Sequence, residues 1–391
     1  MKVIERWYVT KVKRIGMVFL GPFPIGNVST LRINSYCKAL VDKGYYVKVY
    51  ILAPTTEAKI NKERLGVDDG IEYEYLTKIT WQKENTSFFI KINYYLFGIL
   101  KMCRYIFKDK IDILMTYHSE IVFNCFMAVF SKIKNIPFVL DKTEYPKKKY
   151  SILEKLKLKF FDGIITISKE LEVYYKTHNK SIFLLPMSIN PKRYQGLHET
   201  KITDNITVVF GVHNRDCIED SILGFIKFLK DTGNISSKLI LVGDYKRLFE
   251  MHDLESLNKT IKDSGFEHRI VFKGLVPIDE IPYILKSSRV LLSTPLFFIS
   301  GGFPTKLGEY LLSGVPVVAT RVGELEDYLC DKKDIIFVEP NNIDSIAKNL
   351  DWVFKNEHES KKIGLSGAEK ANRVFNAGTY VDDLVLFLES L

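Results

Sequence analysis

The chain has 391 residues, 46% apolar and 26% charged, with a net charge of +9. That is the balance of a soluble globular protein long enough for two domains with sizeable cores. The positive charge suits anionic partners such as membrane headgroups or phosphorylated small molecules. Nucleic acid ranks last among these, because no RNA- or DNA-binding motif and no arginine-rich tract with interleaved aromatics is present.

The first apolar run, residues 14–20, is short and lacks a small-residue cleavage site, so it reads as a strand and not a signal peptide. Gly21-Pro22-Phe23-Pro24-Ile25-Gly26-Asn27 follows, then a helix over 31–43 ending at Gly44, then a strand over 45–52. This is the β-loop-α-β opening of a doubly wound parallel sheet. The glycine spacing resembles a phosphate loop, but Asn27 and Val28 stand where Lys and Ser/Thr are required, which rejects it. A glycine loop here allows a substrate to approach the backbone.

Residues 71–76 form a strand, and 88–107 an aromatic, basic, amphipathic segment that Lys91, Lys101 and Arg104 make unsuitable as a membrane span. A buried strand over 111–117 ends beside His118, and one over 138–140 ends at Asp141-Lys142-Thr143-Glu144-Tyr145-Pro146. In open α/β sheets that edge holds ligands. Lys147, Lys148, Lys149, Lys155, Lys157 and Lys159 then make a basic patch, either a solvated helix face or, with 88–107, a surface for an anionic bilayer. Further strands are expected over 163–167 and 182–185, with Ser168 capping the helix 169–176.

Residues 193–205 are polar with little periodicity and mark a domain boundary. The strand–helix pattern then restarts, with strands over 206–210, 238–242, 270–272 and 290–293 and turns at Gly211, Gly243 and Gly274. Next comes Ser300-Gly301-Gly302-Phe303-Pro304-Thr305-Lys306-Leu307-Gly308-Glu309-Tyr310. Two glycines lead into Pro304, which suits a first helical turn, and Leu307, Tyr310 and Leu311 make one apolar face. Free amides, a helix N-terminus and Lys306 outline an anion site, and Glu309 can take hydroxyls. The plainer reading is a capped amphipathic helix with a solvated Lys306–Glu309 pair.

Five cysteines, at 37, 103, 125, 217 and 330, show neither a Cys-x-x-Cys nor a Cys/His ligand spacing. Buried, reduced thiols of a cytosolic protein are expected, with no metal site. No Asp-x-Asp triplet is present, which argues against a divalent-metal transferase.

The ordered series Leu241-Val242-Gly243-Asp244, Val271-Phe272-Lys273-Gly274-Leu275-Val276-Pro277, 281–285, 290–294 and Gly301–Tyr310 resembles glycosyltransferase family 4. The resemblance implies an α/β GT-B fold, two Rossmann-like domains facing across a cleft. Residues 1–195 would bind the acceptor, 196–205 link, 206–375 bind a nucleotide-sugar, and 376–391 form a helix crossing back to the first domain. It also implies a retaining hexosyltransferase that carries sugar from a UDP- or GDP-linked donor to a saccharide or lipid-linked glycan in surface polysaccharide synthesis. Such an enzyme would be cytoplasmic or peripheral at the inner membrane face and need no metal or other cofactor.

Carried over residue by residue, Glu309 holds the ribose, and the Phe303-Pro304-Thr305 amides, preceded by Gly301 and Gly302, meet the diphosphate. Gly274, Leu275 and Val276 read the base. Gly26 and Asn27 lie at the donor phosphates, His118 near the transferred sugar, Gly243 on the donor side, and Glu144 and Tyr145 on the acceptor side. Two departures stand out. The first glutamate of the family's motif is replaced by Gly301, and the usual Arg and Lys after the first strand of the second domain are missing. Arg215 and Lys306 are expected to supply the charge that stabilises the leaving diphosphate. These departures keep two alternatives open: a nucleotide-sugar epimerase of this architecture and a non-catalytic partner subunit.

Overall fold

The computed structural model describes residues 13–56, 59–117, 120–146, 152–178, 181–197, 205–212, 217–244, 255–297 and 305–391. The chain divides into two compact units, Met1–Leu185 with Ala377–Leu391, and Pro186–Asn376.

Unit 1 holds β1 (Arg14–Phe19), β2 (Tyr46–Ile51), β3 (Leu65–Asp68), β4 (Ile71–Tyr75), β5 (Ile113–Thr116), β6 (Phe138–Lys142), β7 (Gly163–Thr166) and β8 (Ser181–Leu184). They form one sheet in the order β3-β4-β2-β1-β5-β6-β7-β8. β5 and β7 are buried along their whole length, as expected of parallel strands covered on both faces. The edge strand β3 pairs antiparallel with β4. Sequence reading missed β3, yet its signal is present: Asp69 (φ 48°) and Gly70 (φ 83°) both have the positive φ that a two-residue hairpin turn requires.

Helices cover both faces. α1 (Val28–Asp42) packs with the C-terminal helix (Ala377–Glu389) over one core. α2 (Phe88–Lys108) and α3 (Ile121–Lys134) pack together over the other. α1 starts earlier than the sequence periodicity suggests, because the Asn27 side chain caps it by accepting the N–H groups of Ser29 and Thr30. In α5 (Lys169–Lys176), Ser168 caps as expected, its hydroxyl accepting the Leu171 N–H at 3.2 Å. The expectation of uniformly buried thiols fails: Cys37 and Cys103 are buried, but Cys125 and Cys330 are exposed and Cys217 is intermediate.

Asp141 opens the segment 141–146 expected at a ligand-holding sheet edge, and the structure gives it a structural task. It is fully buried, and the Arg32 side chain from α1 donates to both its oxygens, Nε at 3.0 and 3.2 Å and Nη2 at 3.0 Å. Nη2 also reaches the Leu185 carbonyl at 3.2 Å. One guanidinium thus joins α1, β6 and the end of the segment after β8.

Unit 2 holds β9 (Ile206–Val212), β10 (Lys238–Gly243), β11 (Ile270–Gly274), β12 (Val290–Ser293), β13 (Val317–Thr320) and β14 (Ile336–Val338). Their order is β11-β10-β9-β12-β13-β14, and every pairing is parallel. The division at 185/186 differs from the expected boundary at 195. Residues 186–195 go with unit 2 because their polar groups are satisfied there: the Ile189 N–H donates to the Phe375 carbonyl at 2.9 Å, and Arg193 and Tyr194 bond Glu309.

Removing the Arg32 guanidinium leaves a buried carboxylate without its main partner. Arg32→Ala should therefore destabilise unit 1 by about 3–5 kcal/mol, read as a lowered denaturant midpoint. A second expectation concerns pH. Burial raises the pKa of Glu74 on β4, but hydrogen bonds from Tyr105, Lys48, Arg64 and Lys101 outweigh it and bring it down to about 2. A depressed carboxylate adds stability above its unfolded pKa, lost as pH falls through the folded one. Stability should thus decline from about pH 4.5 toward pH 2. Glu74→Gln should flatten that part of an acid-unfolding curve.

Candidate functional site

Strand order in unit 2 reverses between β9 and β12: β9 leads outward to β10 and β11, β12 to β13 and β14. Ligands of open α/β sheets bind outside strand C-termini at such a point. The helix Thr305–Leu312, numbered here α9, is fixed over it. Its Tyr310 hydroxyl accepts the Phe210 N–H at 2.5 Å and lies 3.1 Å from the Phe210 carbonyl and 3.4 Å from that of Leu292. One buried hydroxyl bridges both strands, while Leu307 and Leu311 fill the core as the sequence predicts.

Lys306 stands in the first turn of α9, over the end of β9. Gly211 there has φ 69°, and a Cβ built on it would sit 3.5 Å from Lys306 Cδ. The C-terminal end of β9 therefore lies beside Lys306. At the same sheet edge the Cys217 N–H donates to the Thr294 carbonyl at 3.1 Å, and the Cys217 carbonyl accepts the Thr294 hydroxyl at 2.7 Å. Burial lifts the Cys217 thiol to about 11, so it stays protonated and is no nucleophile. Arg215, His118, Gly301, Gly302, Phe303 and Pro304 lie outside the described residues.

Glu309 departs from the solvated Lys306–Glu309 pair that the sequence also allowed. It is buried, with Arg193 Nη1 donating to Oε1 at 2.5 Å and the Tyr194 hydroxyl to Oε2 at 2.5 Å. Burial and the Glu309 charge push the Tyr194 phenol well above its usual range, so it remains a donor. A carboxylate has about four acceptor positions, so two partners leave room for a ligand's hydroxyls. Arg193 Nη2 also donates to the Ile278 carbonyl at 3.1 Å.

Both partners come from a 3-10 turn, Pro191–Tyr194, capped by the Asn190 carboxamide, which accepts the Lys192 N–H at 3.0 Å. Sequence reading placed Arg193 and Tyr194 at the boundary and missed them. The available signal was Asn-Pro, an N-cap followed by a residue suited to the first turn. Gly308 lets this segment close on α9: a Cβ there would lie 2.5 Å from Ile189 and 2.9 Å from Met187.

The remaining predicted donor residues of unit 2 lie at the same sheet edge. Gly243 ends β10 with φ 148°, and Gly274 ends β11 with φ 78°. Leu275 is 77% exposed, Val276 is half-buried, and Ile278 follows two residues on. Thr305 opens α9.

The predicted residues of unit 1 have local tasks. The Asn27 oxygen is engaged by the first turn of α1, and a side chain on Gly26 would collide with Thr30 and approach Pro22 to 2.7 Å. Close packing of the loop on α1 therefore accounts for this glycine without a substrate. Glu144 is exposed beyond the end of β6. The Tyr145 hydroxyl donates to Glu170 at 2.8 Å and its ring meets Tyr174 edge-on. Among the described residues, no three His, Cys, Asp or Glu side chains stand close enough to hold a metal ion.

Residues 204–370 match the family described as glycosyl transferases group 1. The chain is 24% identical over 276 residues to the alpha-1,3/1,6-mannosyltransferase ALG2 of Dictyostelium discoideum, covering 70% of this chain and 60% of that protein's length. Among solved structures it is similar to sucrose-phosphate synthase from Thermosynechococcus elongatus, with a TM-score of 0.70 and 13% identity, covering 97% of this chain and 99% of that one. The UDP complex of HepE from Anabaena gives a TM-score of 0.68 at 15% identity, covering 97% and 100%. The fold is thus of the two-domain GT-B type.

Tyr194→Phe removes a hydrogen bond to a buried charge and should cost about 1.5–3 kcal/mol of unit 2 stability. A lowered thermal midpoint would check this, and Tyr283→Phe, an exposed tyrosine of the same unit, should leave it unmoved.

Proposed function

We propose that this chain, whose residues 204–370 belong to the group 1 glycosyltransferases, moves a hexosyl group from a nucleotide diphosphate-sugar to a hydroxyl of a saccharide or lipid-linked glycan. The observation that carries this reading is the pinning of α9 at the β9/β12 reversal. It sets a cation, Lys306, and a pre-oriented carboxylate, Glu309, on one helix beside the strand ends.

In this reading Glu309 accepts the ribose hydroxyls, and the backbone of Gly274-Leu275-Val276 reads the base. The amides at 303–305 and the cations Lys306 and Arg215 meet the diphosphate. Breaking the anomeric bond builds negative charge on the leaving phosphate, and pre-placed cations and helix N-terminal amides lower the cost of that charge. Those cations make a metal unnecessary, so EDTA should leave turnover unchanged. Transfer proceeds with retention, the leaving phosphate taking the acceptor's proton and His118 lying near the sugar. Glu144 and Tyr145 serve the acceptor side.

The UDP bound by HepE supports a nucleoside diphosphate as leaving group, and the matched mannosyltransferase supports a hexose. The product belongs to surface polysaccharide synthesis at the cytoplasmic face of a membrane. Gly301, which leaves the sugar end of the site without the motif's first carboxylate, favours a second reading as a non-catalytic partner that binds nucleotide without turnover.

Lys306→Ala should lower turnover by about 10²–10³-fold. Glu309→Ala should chiefly weaken nucleotide binding. Mass spectrometry of products from a panel of nucleotide-sugars with a lipid-pyrophosphate acceptor checks both. Transfer undiminished in both variants would overturn the placement of the site.

A further inference from the structure

Helices α2 and α3 bury one side in the core of unit 1, through Ile99, Met102 and Ile106 on α2 and Phe123 and Met127 on α3. Their opposite sides are apolar as well. On α2 the outward stripe is Phe89, Leu96, Phe97, Leu100 and Phe107, at helical spacing, with Phe97 51% and Leu100 61% exposed. On α3 it is Ile121, Val122, Phe126, Val129 and Ile133, with Ile133 64% exposed. Helices that are apolar all round normally lie inside a core or a bilayer. Contiguous exposed apolar surface on this scale marks an interaction face. No described helix is long and apolar enough to cross a membrane.

The charges name the occupant. Neither helix contains an Asp or Glu in its 21 and 14 residues. Arg104 and Lys108 on α2 and Lys132 and Lys134 on α3 are exposed. Lys155 and Lys159, on or just after the neighbouring α4 (Ile152–Leu158), are exposed too. The Lys134 ammonium lies 4.7 Å over the Phe107 ring, so cation and aromatic share one face. An apolar stripe without acids along either helix, fringed by cations and with the exposed Glu120 flanking only the N-terminal end of α3, complements acyl chains beneath anionic headgroups. A second copy of the same face would bring like charges together.

We propose that the outward faces of α2 and α3 form a docking surface that lies in the headgroup layer of an anionic bilayer. The surface keeps the 88–107 segment and the lysines at 155 and 159 that the sequence offered for an anionic bilayer and adds the apolar face of α3; Lys147, Lys148 and Lys149 lie outside the described residues. It stands on these helices alone. A chain that binds vesicles but forms no glycoside would overturn the proposed reaction and leave this inference intact.

Cys125, exposed on the α3 stripe, supplies the probe. The full chain with Cys330→Ser, labelled at Cys125 with an environment-sensitive fluorophore, is mixed with phosphatidylglycerol–phosphatidylcholine vesicles. The reciprocal Cys125→Ser chain, labelled at Cys330 of unit 2, is the control, and mass spectrometry verifies single labelling. A blue shift at Cys125 and none at Cys330 is expected, weakening as ionic strength rises. Lys108→Gln and Lys132→Gln should each weaken vesicle affinity about fivefold. Phe97→Ser with Leu100→Ser should weaken it more, with unchanged circular dichroism. The proposal is overturned by any of three results: no shift, an equal shift with phosphatidylcholine alone or at Cys330, or a concentration-dependent shift without vesicles.

Discussion

The Glu309 carboxylate lies inside unit 2, where an unpaired charge would cost several kcal/mol. Its neighbours follow from that constraint. Arg193 and Tyr194 must be delivered to it, so the chain makes a capped turn over Pro191–Tyr194. The turn must close on α9, so position 308 has no side chain. α9 must not rotate, and the Tyr310 hydroxyl ties it to β9 and β12. Arg193 extends the arrangement to Ile278, beyond β11, so the helix and the loop after β11 are held through one guanidinium. A site built this way is oriented before any ligand arrives, and less ordering entropy is lost on binding.

Unit 1 solves a similar problem with Arg32 and Asp141, a buried pair that joins α1 to β6 instead of presenting a carboxylate to a ligand. The contrast lies in what remains open. Asp141 is fully enclosed, whereas Glu309 is met at each oxygen by a single donor, at the end of a sheet where the strand order reverses. Burial alone did not separate the two; the position of each along its sheet did.

Much of this architecture was legible in the residues. Continuous apolar runs announced the parallel strands, glycines marked their ends, and the spacing of Leu307, Tyr310 and Leu311 gave the inward face of α9. What escaped depended on partners far apart in sequence. Arg193 and Glu309 are 116 residues apart and Arg32 and Asp141 are 109, so no local pattern joins them. The outward apolar stripe of α3 was also hidden, because periodicity shows that a helix has an apolar side but not that it has two. β3 was missed for a local reason, since its exposed alternation is weak and only the Asp69-Gly70 turn gives it away.

The helix Ala377–Glu389 buries Ala377, Val381, Leu384 and Leu388 in the same core as the residues of β1, β2 and α1. Between that helix and the rest of its unit lies the whole of unit 2, 376 − 185 = 191 residues. On a ribosome, where segments emerge in order, the first unit made cannot seal its core until the second has been synthesised. Until then α1 shows an apolar side to its surroundings. The two compact units are nested in time, with the second completed inside the unfinished first.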